Sequence, residues 1–214
     1  MSKDAYGRLA RWYDTLFDSM NAPLRAIGLK MYPPSAAMKV LDVGCGTGSG
    51  LVKYQAAGCD VYGIDMSPSM LAIAQQKLGN EATLHLGDAT AMPYEDHTFD
   101  LVTTTLTLHE MPPAMRDGVL TEMKRVLKAE GRLQLIDFHP GALRFPKGWM
   151  TKVVITISEI VAGREHFKNY RQFMGAKGLP ALIAAHGMGV EARKIVSGGN
   201  MALFLLTAGP EATS

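Results

Sequence analysis

"VLDVGCGTGSG", residues 40–50, sets an apolar run directly against glycines at 44, 46, 48 and 50. Val40 to Val43 reads as the end of a buried strand, and glycine is poor at filling a core and costly to order. Glycines gathered at that junction mark a turn where something passes close to the backbone. In an open parallel sheet such a place is the crevice beyond the carboxyl ends of the strands, where strand order reverses. A tight strand-to-helix turn would explain a lone glycine pair equally well, so the residues around the loop decide.

On either side, strand and helix patterns alternate. "MKVLDV" (38–43), "CDVYGID" (59–65), "ATLHLGD" (82–88), "FDLVTTTL" (99–106) and "GRLQLIDF" (131–138) read as five strands. Helices are expected over about 48–57, from the Ser67-Pro68 cap to Leu78, and over 112–128, where Met115, Val119, Met123, Val126 and Leu127 keep a helical period. Alternation of this kind predicts a parallel sheet covered on both faces. "VEARKIVSGGNMALFLLTAG" (190–209) reads instead as a hairpin turned at "SGGN", so the sheet finishes with an antiparallel edge.

Two helices, 4–20 and about 22–31, are expected before Pro33 and Pro34. Residues 141–187 form a helical insert. Within it Met150, Val153, Val154, Ile157, Ile160 and Val161 hold one helical stripe, and "REHFKNYRQFM" (164–174) sets aromatics on one face and Arg164, Lys168 and Arg171 on another.

The 214 residues are 47% hydrophobic and 20% charged, with net charge +2, a balance too weakly basic to argue for nucleic acid. No apolar stretch reaches the roughly 20 residues of a membrane span, and the first residues lack the apolar middle of a secretory signal. Cys45 and Cys59 have no metal or redox spacing. Both read as reduced thiols of a cytoplasmic protein, and no metal is expected.

Acids stand at three successive strand ends: Asp42, Asp65 and Asp88. A carboxylate 17 residues beyond Gly48, as Asp65 is, can accept both hydroxyls of a ribose. One at Asp88 can meet an adenine amino group. Asp42, inside the first strand, needs donors from loop amides or from a ligand ammonium. The glycine spacing is G-x-G-x-G, with Ser49 where a dinucleotide fingerprint would place its third glycine, and the loop itself contains no basic side chain. Acids around the pocket suit a cationic nucleoside, and S-adenosylmethionine has an ammonium, a sulfonium and an adenosine.

"VLDVGCGTG", "VYGIDMSPSML", "GDATAMPYEDHTFD", "FDLVTTTLTLHEM" and "EMKRVLKAEGRLQLIDF" follow one another as in the class I S-adenosylmethionine-dependent methyltransferases, which the chain resembles over residues 38–138. Within that superfamily it is similar to the ubiquinone/menaquinone C-methyltransferase-like group, whose N-terminal helix "ARWYDTLFDSMN" (10–21) resembles. Where that group usually has an Arg-Asn pair after the fourth strand, His109-Glu110 stands here.

The resemblance implies a seven-stranded Rossmann-like sheet of order 3-2-1-4-5-7-6 with strand 7 antiparallel. It implies one domain over 1–214, with lid helices at 1–32 and a helical substrate cap at 141–187. By position, Asp42, Gly44, Cys45, Gly46 and Gly48 hold the methionine end of the cofactor. Asp65 binds the ribose, Met66 stacks on the adenine, and Asp88 with Ala89 reads its edge. Thr105 and Leu106 line the sulfonium side, and Tyr13 closes the lid.

Methyl transfer needs a base only when the nucleophile must lose a proton. Candidates are His109, oriented by Glu110, and His139; each also reads as a plain strand-end or turn residue. His166, Tyr170 and Arg171 are candidates to face a substrate, although their helix equally supplies core aromatics and a solvated basic stripe. The apolar cap suits a small or lipophilic acceptor, such as a quinone precursor or a phospholipid amine, and peripheral membrane contact. The rival readings are a non-catalytic S-adenosylmethionine-binding module and a nicotinamide-dependent oxidoreductase.

Overall fold

The computed structural model describes the backbone of residues 10–209 and the side chains of residues 21–209. Seven strands form one sheet: β1 (Lys39–Val43), β2 (Asp60–Asp65), β3 (Thr83–Leu86), β4 (Phe99–Thr105), β5 (Leu127–Phe138), β6 (Gly189–Val196) and β7 (Met201–Thr207). Their order is β3-β2-β1-β4-β5-β7-β6. β1 to β5 pair in parallel, and β7 runs antiparallel to both β5 and β6, as the alternation and the terminal hairpin predict. β1 is buried on both faces, because helices cover the sheet on each side.

One core lies around Phe99, Leu120, Met123, Leu133 and Leu135, and a second on the opposite face around Val40, Leu51, Val61 and Leu101. In the first, Tyr62 and Tyr94 meet Phe99 edge-on with centroids 5.1 Å away, the arrangement that aromatic quadrupoles favour.

The helices are α1 (Ala10–Met31), α2 (Val52–Ala56), α3 (Pro68–Leu78), α4 (Pro113–Val126), α5 (Lys147–Ala162), α6 (Arg164–Gly175) and α7 (Gly178–Ala185). Three details depart from the sequence reading. Where two helices are expected before Pro33, the described part is one helix that runs through Pro23; residues 4–9 lie outside the described residues. Proline in a helix interior removes a donor and crowds the preceding turn, but packing of Leu24, Ile27 and Met31 on Ile136 and Leu203 offsets that cost. The helix expected from Gly48 starts only at Val52. Gly44, Gly46 and Gly48 all have φ between 52° and 73°, which keeps the chain out of the right-handed helix until the loop has ended. β5 begins at Leu127, pairing with Phe99 across a register shift, so α4 passes straight into the strand.

The insert between β5 and β6 folds as α5, α6 and α7. α5 is built inside out. Its buried positions are Gly148, Ile155 and the carboxylate residue Glu159, while Trp149, Met150, Val153, Val154, Ile157 and Val161 are exposed. Among the described residues, no helix is long and apolar enough to cross a membrane.

Phe99 is fully buried and Phe145 is 85% exposed. Phe99→Ala is expected to destabilise the protein by about 3–5 kcal/mol in chemical denaturation, whereas Phe145→Ala stays within about 0.5 kcal/mol of the parent.

Candidate functional site

The glycine loop occupies the point where strand order reverses between β1 and β4. Gly44 and Cys45 both donate their N–H groups to the Ile64 carbonyl, at 2.9 and 3.2 Å, which binds the loop to the end of β2. Two of its glycines serve the protein's own packing. A Cβ on Gly44 would collide with the Thr107 side chain, and one on Gly48 would lie 2.9 Å from Leu78. Gly46 differs: a Cβ there meets nothing within 4 Å, so its backbone faces open space. Cys45 turns its thiol into the core beside Gly63, so only its backbone is offered to the crevice. Cys45 and Cys59 are both free thiols.

The three acids differ in what already satisfies them. Asp65 accepts the Gly46 N–H through Oδ2 and the Ser67 N–H through Oδ1, each at 2.8 Å, and so ties the loop to the start of α3. Asp88 is exposed and uses Oδ1 to hold the Thr90 N–H and hydroxyl at 2.8 Å. Asp42 is buried, and its Oδ1 has no hydrogen-bond partner. Burial, then the nearby Asp65 carboxylate, push its pKa up to about 7 against a smaller opposing pull from Arg25. The Gly44, Cys45, Gly46 and Gly48 amides are directed elsewhere, to the Ile64 and Cys45 carbonyls and to Asp65.

Ala89 is buried, Met66 is exposed, and Thr105 and Leu106 are half-buried at the end of β4. Leu106 adopts φ +55°, rare for a branched side chain, and its N–H is fixed by the Ile136 carbonyl at 2.8 Å. The loop has no base of its own, but α3 brings one: Lys77 Nζ donates to the Thr47 and Ser49 hydroxyls at 3.3 and 2.6 Å. Tyr13 is on α1, and its side chain lies outside the described residues.

Beyond β4, residues from four elements converge. The turn Leu108–Glu110 is pinned by Arg116, which donates to the Leu108 and Met111 carbonyls at 2.7 and 2.6 Å. This buries His109, whose Nδ1 lies 2.7 Å from Asp137 Oδ1 at the end of β5. Burial alone would depress the His109 pKa; the Asp137 carboxylate above all, with Glu110 and Glu159, overrides it and holds the imidazole at about 9. His166 of α6 approaches Glu159 of α5, with Nε2 2.8 Å from Oε2. Tyr170 is buried against Phe138 and accepts a hydrogen bond from Lys152 at 2.7 Å.

The structure therefore brings His109, Glu110, His166 and Tyr170 together. His139 and Arg171 stand apart. The buried His139 Nδ1 has no hydrogen-bond partner, and Gly141 packs beneath its ring. Arg171 is exposed, its guanidinium 5.9 Å from the Phe167 ring. The sequence reading missed two members, Asp137 and Glu159. Asp137 obeys the same strand-end rule that singled out Asp42 and Asp65. Glu159 is the lone carboxylate in the apolar run "VVITISEIVA".

A methyltransferase-domain family matches residues 41–135. Over 186 residues the chain is 32% identical to a demethylmenaquinone methyltransferase of Thermus thermophilus, covering 78% of this chain and 80% of that one. It is 37% identical to an uncharacterized methyltransferase of Synechocystis over 54% of this chain, and spans about half (52%) of that relative's length. Among solved structures, a Pyrococcus horikoshii protein aligns with TM-score 0.71 at 20% identity, covering 97% of this chain and 99% of that one. An S-adenosylmethionine-dependent methyltransferase of Aquifex aeolicus aligns with TM-score 0.59 at 23% identity, over 86% and 89% of the two chains.

A carboxyl that titrates higher in the folded than in the unfolded chain binds its proton more tightly when folded. Stability therefore falls as pH rises from the unfolded value, about 4, to the folded value near 7, and is flat above. The ligand-free protein is expected to lose melting temperature between pH 4.5 and 7.5, and Asp42→Asn to flatten that slope, as measured by calorimetry.

Proposed function

Because the chain belongs to the class I S-adenosylmethionine-dependent methyltransferases of the menaquinone and ubiquinone type, we propose that it transfers a methyl group to a small lipophilic acceptor bound beneath α5 and α6. The observation that carries the cofactor assignment is the buried Asp42 oxygen without a donor, next to the open backbone at Gly46. An ammonium satisfies that oxygen and draws Asp42 into its ionised form. Asp65, oriented by the Gly46 and Ser67 amides, would accept from the ribose hydroxyls; a carboxylate accepts about four hydrogen bonds. Asp88 Oδ2 and the Ala89 backbone would face the adenine edge, with Met66 against its ring. Thr105 and Leu106 would line the sulfonium side, and α1 with Tyr13 would act as the lid. A phosphate-bearing nicotinamide cofactor would bring like charge against these carboxylates.

S-adenosylmethionine supplies an activated methyl group, so the chain's own residues have to align the acceptor and exclude water. His109, clamped by Asp137, sits at the edge of the acceptor space with Glu110, and His166 and Tyr170 close it from the cap. Support for a lipophilic acceptor comes from α5. Its outer face presents Trp149, Met150, Val153, Val154, Ile157 and Val161 to solvent, although such a patch is normally covered. Arg144 and Lys147 at its start and Arg164, Lys168 and Arg171 on the next helix are exposed. Exposed apolar side chains together with exposed cations on the same insert would suit the surface of an anionic bilayer, from which a lipophilic acceptor would be drawn.

Asp65→Ala is expected to abolish S-adenosylmethionine binding by titration calorimetry. The unaltered chain should transfer labelled methyl to at least one member of a panel of quinols, phenols and lipid amines. Failure to bind the cofactor refutes the reading, and binding without transfer to any of them favours a non-catalytic cofactor-binding module. In flotation assays the chain is expected to bind vesicles containing phosphatidylglycerol, and Val154→Glu with Ile157→Glu to release it. Equal flotation of parent and double variant would exclude α5 as the contact.

A further inference from the structure

The converging side chains beneath the cap have a geometry that ion pairing alone does not explain. His109 Nε2 lies 3.7 Å from Glu159 Oε2, and His166 Nε2 lies 2.8 Å from the same oxygen. All three atoms fall within 4.8 Å of one another. Glu159 is more than nine-tenths buried, and its Oε2 makes no hydrogen bond of acceptable geometry with either ring. Two ring nitrogens thus stand around one buried carboxylate oxygen whose hydrogen-bonding capacity neither ring fills well. A buried acceptor left so is costly, and an electrophile among these atoms removes the cost.

His109 is prepared for that role from its other side. Asp137 Oδ1 sits 2.7 Å from Nδ1 and takes that N–H, so an ion that displaces the other ring proton meets the Nε2 lone pair. The same carboxylate accepts the His109 backbone N–H through Oδ2 at 3.1 Å, which fixes the ring's orientation. A carboxylate behind a histidine in this way is the usual support of a metal-bound imidazole. Ligand atoms about 2.0–2.1 Å from a tetrahedral ion stand roughly 3.3 Å apart, a value that the two distances to Glu159 Oε2 bracket. Glu110 Oε1 lies 4.0 and 3.9 Å from the two Nε2 atoms, at the more exposed edge.

We propose that His109 Nε2, His166 Nε2 and the Glu159 carboxylate bind a divalent transition-metal ion, with Asp137 as the positioning residue behind His109 and Glu110 at the open side. Two imidazoles and one carboxylate suit zinc, iron(II) or manganese(II), and not the oxygen-only cage of calcium. The ligands come from the β4 exit turn, α5 and α6, so the ion ties the insert to the sheet. In one respect the inference rests on the methyl-transfer reading: an ion there would hold an acceptor through an anionic oxygen or sulfur.

The test uses the full chain, free of any histidine tag, stripped with a chelator and desalted. Titration calorimetry with Zn2+ is expected to show one ion per chain, and Co2+ to give visible absorption bands of a site with nitrogen ligands. Glu159→Gln and His166→Asn should each weaken Zn2+ binding at least about tenfold and remove the Co2+ bands, and Asp137→Asn should weaken it about 10–100-fold. Circular dichroism and S-adenosylmethionine affinity report separately on the fold and the cofactor crevice. Absence of stoichiometric Zn2+ and Co2+ binding by a folded parent chain overturns the site, as does binding that both ligand variants leave unchanged. A metal bound without methyl transfer to any acceptor would leave the site standing and refute only the methyl-transfer reading.

Discussion

β1 hydrogen-bonds in parallel to β2 on one side and to β4 on the other, with Leu41 opposite Tyr62 and Val102, and Asp42 opposite Gly63 and Thr103. A strand with two parallel neighbours cannot turn back on itself. Its chain must leave beyond the carboxyl end and return by a crossover on one face, while the crossover to the next neighbour takes the other face. The space between the two departures is the crevice. Everything chemical in the protein follows from which side chains are carried to that end of the sheet. Asp42, Asp65, Thr105 and Asp137 arrive there because their strands stop there.

Placement at a strand end has an electrostatic consequence. The crevice collects carboxylates faster than it collects cations. Asp42 is raised to about 7 partly by Asp65, and His109 is surrounded by Asp137, Glu110 and Glu159. Lys77 lies near the loop, but it is engaged with Thr47 and Ser49. A site with this balance is not at its electrostatic minimum while alone. Positive ligands would stabilise it in the two places proposed: next to Asp42 and Gly46, and between His109, His166 and Glu159.

The sequence makes the first of these places legible and hides most of the second. The strands, the antiparallel edge and the acids at strand ends are encoded locally, in alternation, turn residues and glycine spacing, while the strand order came with the family resemblance. The crevice could be read because each of its residues lies within a few positions of a strand terminus. Some details escaped because they depend on tertiary contacts. Gly44 and Gly48 turn out to make room for Thr107 and Leu78, which lie far along the chain, and α1 continues through Pro23 because the sheet packs against it. Glu159 is the clearest case. It belongs to an apolar helix whose periodic stripe suits a core, an acceptor or a membrane surface alike, and the structure reverses the ordinary order of burial. The stripe faces out and the carboxylate faces in.

That reversal is an argument about function in its own right. Burying Glu159 costs desolvation that nothing on α5 itself repays, and exposing the apolar stripe forgoes the gain of covering it, about 25 cal/mol per Å2. Turning α5 about its axis would relieve both in an isolated soluble domain. Two conditions keep it as it is. The inner face must meet something that stabilises a carboxylate, and His166 with His109 is available for that only in the present orientation. On the membrane contact proposed for it, the outer face meets an apolar phase. An insert that met only the first condition would carry polar residues outside, and one that met only the second would carry apolar residues inside. α5 meets both, so the same helix that supplies a ligand to the buried cluster also presents the surface through which a water-insoluble acceptor would approach it.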